Sequence, residues 1–138
     1  MNRTTSCCLR GSLATFLLVA AIALSACLHS THVLTDADDG TIQVVDVGDA
    51  IFIRLSGNAS TGYLWERTAP VTLEEEPLVP VVEGDYESLG SAPGSPGLFA
   101  FGYEATAVGT VTLTFAYRRP WENDPPLATY SVVIWVRE

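Results

Sequence analysis

G-T-V-T-L-T-F-A-Y, residues 109–117, places Val111, Leu113, Phe115 and Tyr117 at alternate positions, with Thr112, Thr114 and Ala116 between them. Side chains along a strand point to opposite faces with a period of two, so this stretch predicts a β-strand with one face in a core. The period recurs on both sides. Upstream, Phe99, Phe101 and Tyr103 alternate with Leu98, Ala100 and Gly102; downstream, residues 130–136 read Y-S-V-V-I-W-V. Further back, Ile51, Ile53 and Leu55 alternate with Phe52, Arg54 and Ser56, which assigns the odd positions to the core. Residues 41–45 and 63–66 are short β-rich runs, and residues 81–89 carry a weaker pattern. Six or seven strands separated by turn signals, with no helical period of useful length, predict an all-β sandwich.

Three loops interrupt these strands. Ser56-Gly-Asn-Ala-Ser-Thr-Gly62 is small and polar, bracketed by glycines, and is followed by Tyr63-Leu-Trp65. Trp65 is expected to be buried at the loop base, its indole N–H bonded to a backbone acceptor. Residues 90–97, G-S-A-P-G-S-P-G, make a second loop. It lacks the Lys-Ser/Thr and the following helix of a phosphate loop. Residues 118–126, R-R-P-W-E-N-D-P-P, make a third, in which Trp121 stands among prolines. If the strands run alternately up and down, the three loops share one end of the sandwich, where a rigid scaffold presents them for recognition.

The first 27 residues are different material. Arg3 and Arg10 precede an apolar run at 13–24, and Leu24-Ser-Ala-Cys27 closes it. That order is the order of a secretory signal peptide, too short for a membrane span. The closing tetrad resembles the lipobox of bacterial lipoproteins, which implies lipid attachment at Cys27 and a place in the cell envelope, on the periplasmic or extracellular face. Leu28 after the cysteine favours the outer membrane. Residues 28–40, polar and with Asp36, Asp38 and Asp39, read as a flexible tether, and residues 41–138 as the folded domain. Cys7 and Cys8 fall in the leader, so the domain has no disulfide and depends on its core.

Composition narrows the function classes. The chain has no Lys; beyond Cys27, five Arg face 16 acidic residues, a net charge of −11. A nucleic-acid partner needs the opposite sign. The only histidines, His29 and His32, fall in the expected tether, which leaves a serine in the domain without a base. The acids of the tether lack the spacing of a calcium loop. No metal or cofactor is expected. Binding is better supported: an aromatic held in a proline-restricted loop is the kind of residue that dominates interfaces.

N-A-S-T-G-Y-L-W at 58–65, G-S-P-G at 94–97 and R-P-W-E at 119–122 resemble, in order and spacing, the three loop motifs of the chagasin family. That family comprises protein inhibitors of papain-like cysteine proteases on an immunoglobulin-like β-sandwich, and the likeness extends over about residues 41–136. It implies a monomeric, non-catalytic, reversible inhibitor. Ser60, Thr61 and Gly62 would lie nearest the protease's catalytic cysteine, braced by Asn58, with Ala59 in the same protease-binding loop. Gly94, Ser95, Pro96 and Gly97 would meet one wall of the cleft. Trp121 would meet the other, posed by Arg119 and Pro120. Ala59 and Ser60 depart from the family's N-P-T-T-G-Y-x-W, and Pro96 stands where glycine is common. A non-catalytic envelope module that binds a glycan or another protein on the same scaffold is the alternative.

Overall fold

The computed structural model describes residues 29–68 and 76–138. The leader, Cys27, Leu28 and residues 69–75 lie outside that description. Among the described residues, eight strands form two four-stranded sheets. The first sheet contains β1 (Thr31–Thr35), β3 (Ala50–Gly57), β6 (Gly97–Ala105) and β5 (Leu78–Ser88), in the order β1-β3-β6-β5. The second contains β2 (Ile42–Asp46), β8 (Ala128–Arg137), β7 (Gly109–Arg118) and β4 (Leu64–Arg67), in the order β2-β8-β7-β4. Neighbours are antiparallel except β1 with β3 and β2 with β8. This is the expected sandwich, immunoglobulin-like in its packing of two sheets.

The alternation read from the sequence sets the inner faces. Ile51, Ile53 and Leu55 from one sheet meet Leu113, Phe115, Val132 and Ile134 from the other, all fully buried. Phe101 and Phe115 pack across the interface with ring centroids 4.6 Å apart. Each such side chain contributes about 1.5–3 kcal/mol by leaving water.

Two segments differ from expectation. Of the expected tether 28–40, residues 31–40 are not flexible chain, and strand pairing begins at Thr31 rather than residue 41: β1 pairs with β3, and Leu34 is buried in the core. The aspartates that suggested solvated chain are fastened to backbone. Thr35 and Asp38 form a reciprocal capping box around the 3-10 turn Asp36–Asp38. The Asp36 carboxylate accepts from the Ser56 amide and hydroxyl, and Asp39 accepts from the Ser131 amide. This turn carries the chain from one sheet to the other. The second segment is β5, an eleven-residue strand rather than a short one. Its register shifts at Pro80/Val82 and again at Glu83/Asp85, so the two-residue period is broken twice. It is an edge strand, where Pro80 can be accommodated.

His32 is likewise part of the folded body. Its Nε2 lies 3.0 Å from Asp49 Oδ2. Asp49 is 4% exposed and also accepts from the amides of Ser30 (2.7 Å) and Asp46 (2.9 Å). Burial pushes its carboxyl up, but these two amides and the His32 ring outweigh that and hold it below its ordinary value.

Candidate functional site

The three loops meet at one end of the sandwich. The first leaves β3 after Gly57, whose partner Gly97 opens β6; the second joins β5 to β6; the third joins β7 to β8. Asn58 caps a single 3-10 turn, Ala59–Thr61. Its Oδ1 accepts from the Ser60 amide (3.1 Å) and hydroxyl (2.6 Å), and its carbonyl accepts from the Thr61 amide and hydroxyl. Gly62 ends the turn in the left-handed region at φ 82°, where a β-carbon is disfavoured. Ser60 and Thr61 are exposed at the tip, while Ala59 is half-buried against the core.

Each neighbouring loop is bound to the first. On one side Asn58 Nδ2 donates to the Gly94 carbonyl at 2.8 Å. On the other, Arg119 Nε donates to the Thr61 carbonyl at 3.2 Å, and its guanidinium lies 4.6 Å above the Tyr63 ring. Glu122, whose Oε1 is 2.9 Å from Arg119 Nη1, pushes that guanidinium's pKa up. Trp121 is 68% exposed and rests against Gly62: a β-carbon there would come within 2.8 Å of the indole. The order across the edge is therefore second loop, first loop, third loop.

Beneath the edge, Trp65 is buried and its Nε1 donates to the Ser56 carbonyl at 3.0 Å, as expected for an indole at the loop base. In the second loop the left-handed position falls on Gly94 (φ 82°), so Pro96 meets no demand for positive φ; its carbonyl accepts from the Leu89 amide. Gly97 is needed for close approach, since a β-carbon would lie 2.4 Å from the Glu87 carbonyl oxygen. Ser95 donates its hydroxyl to the Ala92 carbonyl. Pro120 is exposed between Arg119 and Trp121.

All twelve loop residues singled out in the sequence thus fall on one continuous edge. Cys27, the thirteenth, lies outside the described residues. Sequence reasoning missed the roles of Tyr117, whose hydroxyl accepts from the Asn58 amide, and of Glu122, which pairs with Arg119 inside the third loop. Among the described residues no cluster of three His, Cys, Asp or Glu side chains is gathered to hold a metal ion.

The comparisons with known proteins point the same way. The family model described as "Chagasin family peptidase inhibitor I42" matches residues 44–134. Amoebiasin-2 of Entamoeba histolytica is 31% identical over 120 residues, spanning 83% of this chain and 94% of its own length. Chagasin of Trypanosoma cruzi is 29% identical over 92 residues, spanning 66% of this chain and 84% of its own. The crystal structure of a cysteine protease inhibitor from Entamoeba histolytica superposes with a TM-score of 0.69 at 25% identity, over 80% of this chain and 98% of that one. The solution structure of amebosin, at 24% identity and a TM-score of 0.60 over 79% of this chain and 98% of its own, shares the fold.

Proposed function

The chain belongs to the chagasin family of peptidase inhibitors, and from that membership we propose that it blocks papain-like cysteine proteases by seating its three-loop edge in their active-site cleft. As a member of the family it is a non-catalytic, reversible protein inhibitor of cysteine proteases. The proposal concerns which residues do the work and how. Ser60, Thr61 and Gly62 enter the cleft, the second loop lies along one wall, and Trp121 packs on the other.

The observation that carries this reading is the cross-linking of the first loop to both neighbours, through Asn58 to Gly94 and Arg119 to Thr61. An edge already tied together loses less conformational freedom on docking, so more of its contact energy appears as affinity. The exposed indole supplies the anchor. A tip closed on itself by the Asn58 cap presents no extended backbone for cleavage. Replacing Trp121 by Ala is expected to weaken inhibition of papain by about 1–4 kcal/mol. Because the indole is exposed, the thermal midpoint should be nearly unchanged. An unaltered inhibition constant removes Trp121 from the role.

The address belongs to the same proposal. Cys27 carries a lipid, and the domain is held as a monomer at the envelope, with the outer membrane favoured. Residues 1–27 support this by their order of basic start, apolar run and L-S-A-C. The position of residue 29 is compatible with it. A β-carbon on Gly48 would strike the His29 ring, and the Gly48 amide donates to the Ala105 carbonyl, at the far end of β6 from Gly97. The chain therefore enters the fold roughly 25–30 Å from the loops, which face away from an anchor. Cys27→Ser is expected to move the protein from the membrane fraction to the soluble one; equal partitioning would remove the anchor.

A further inference from the structure

We infer that Tyr117 is a positioning residue for inhibition, resting on the reading above: its phenol sets the first loop at a fixed height against the third. Tyr117 lies on β7 in the second sheet, whereas the first loop leaves β3 in the first sheet. Asn58 N is the first amide of that loop beyond the last ladder pair, Gly57 with Gly97. The Tyr117 hydroxyl accepts from it at 2.8 Å and lies 3.4 Å from the Asn58 carbonyl, to which it can donate. One residue after Tyr117 the same strand ends, and Arg119 begins the third loop. A single strand thus holds the third loop covalently and the first through a phenol.

The surroundings fix that phenol in place. Its ring packs against Tyr63 (5.4 Å between centroids), Trp65 (5.2 Å) and, edge-on, Phe99 (6.3 Å). Gly57 makes room for this cluster: a β-carbon there would lie 2.7 Å from Phe99 and 3.1 Å from Tyr117. The hydroxyl is the part of Tyr117 that core packing does not need. Removing it alone leaves the aromatic cluster, frees the Asn58 amide, and lets the first loop sample positions that do not match the third.

The consequence is kinetic. A loop that occupies its binding position only part of the time lowers the competent fraction of free inhibitor and leaves the contacts of the complex unchanged. Tyr117→Phe is therefore expected to slow association with papain by about three- to tenfold, the worth of one hydrogen bond, with dissociation within about twofold of the original. Amide exchange at Asn58 should quicken, and the thermal midpoint and near-ultraviolet circular dichroism should stay close to the parent's. The experiment is stopped-flow association and dissociation of parent and Tyr117→Phe, with hydrogen exchange on both free proteins. An unchanged association rate, an effect confined to dissociation, or unchanged protection of Asn58 overturns the inference. Failure of the parent itself to inhibit overturns the functional reading instead, and exchange at Asn58 still decides whether the phenol holds the loop.

Discussion

Asn58 does more for the edge than any other single residue: its side chain closes the first loop on Ser60 and reaches the second loop at Gly94, and its backbone meets Tyr117. That network bears on Ala59, where related sequences commonly carry proline. The structure removes much of the penalty of losing the ring, because Asn58 is already extended (φ −140°, ψ 98°) and the 3-10 turn restrains residue 59. An extended residue before it and the first position of a helical turn are what proline requires. Ala59→Pro is accordingly expected to raise stability by about 0.4–1 kcal/mol and to tighten inhibition, as read from urea midpoints and inhibition constants. A lower midpoint would show that the backbone at residue 59 does not fit proline. The exposure of Trp121 was open to the sequence, since prolines hold it in a loop; the phenol of Tyr117 was not. Its place in the alternation of β7 identified it as a core ring, and only the fold brings its oxygen to an amide 59 residues away.

At the scale of elements, the strands with an uninterrupted two-residue period were legible, and those with other local logic were not. The inner faces of β3, β6 and β7 follow from Ile51, Phe99 and Leu113 and their alternate neighbours. β5 was faint because two bulges reset its period. β1 was hidden by the aspartates that follow it, Asp36, Asp38 and Asp39, which looked solvated and in fact accept from backbone amides at the corner between the sheets; the T-x-x-D pattern at residues 35–38 was the available signal. The turn after β1 reaches the site through Asp36, which accepts from the Ser56 hydroxyl at the root of the first loop. A chain beginning at Thr41 loses the β1–β3 pairing, the burial of Leu34 and the Asp36 and Asp39 bonds. It is expected to be less stable by about 3 kcal/mol or more than one beginning at Leu28, measured by urea unfolding. Equal midpoints would return residues 28–40 to the status of a tether.

At the scale of the whole molecule, titration is expected to lower the stability of the sandwich at both ends of the pH range. Asp49 sits below its ordinary value of 3.8 in the fold, so its contribution is fully present above that pH and is lost as pH falls through the folded value. Burial raises Tyr103 and Tyr130 to about 12, with the carboxylates of Asp38, Asp39 and Asp36 adding to the shift at Tyr130. Their neutral forms favour the fold; that contribution is complete below pH 10 and is lost as pH rises through about 12. Thermal midpoints should therefore hold steady from about pH 4 to 10 and fall on both sides, and Asp49→Asn should flatten the acid limb. A flat profile through pH 12 would mean that the two phenols are not buried as described. Within this window the three-loop edge stands at one end of the sandwich and His29, beside Gly48, at the other. On the proposed function, this edge fills a cysteine protease's cleft without being cut. The most direct measurement is the rate at which iodoacetamide alkylates the catalytic cysteine of papain in the presence of saturating inhibitor. The cysteine is expected to be shielded, with activity returning on dilution and the inhibitor chain recovered intact. Alkylation at the uninhibited rate, or cleavage within residues 58–62, would contradict it.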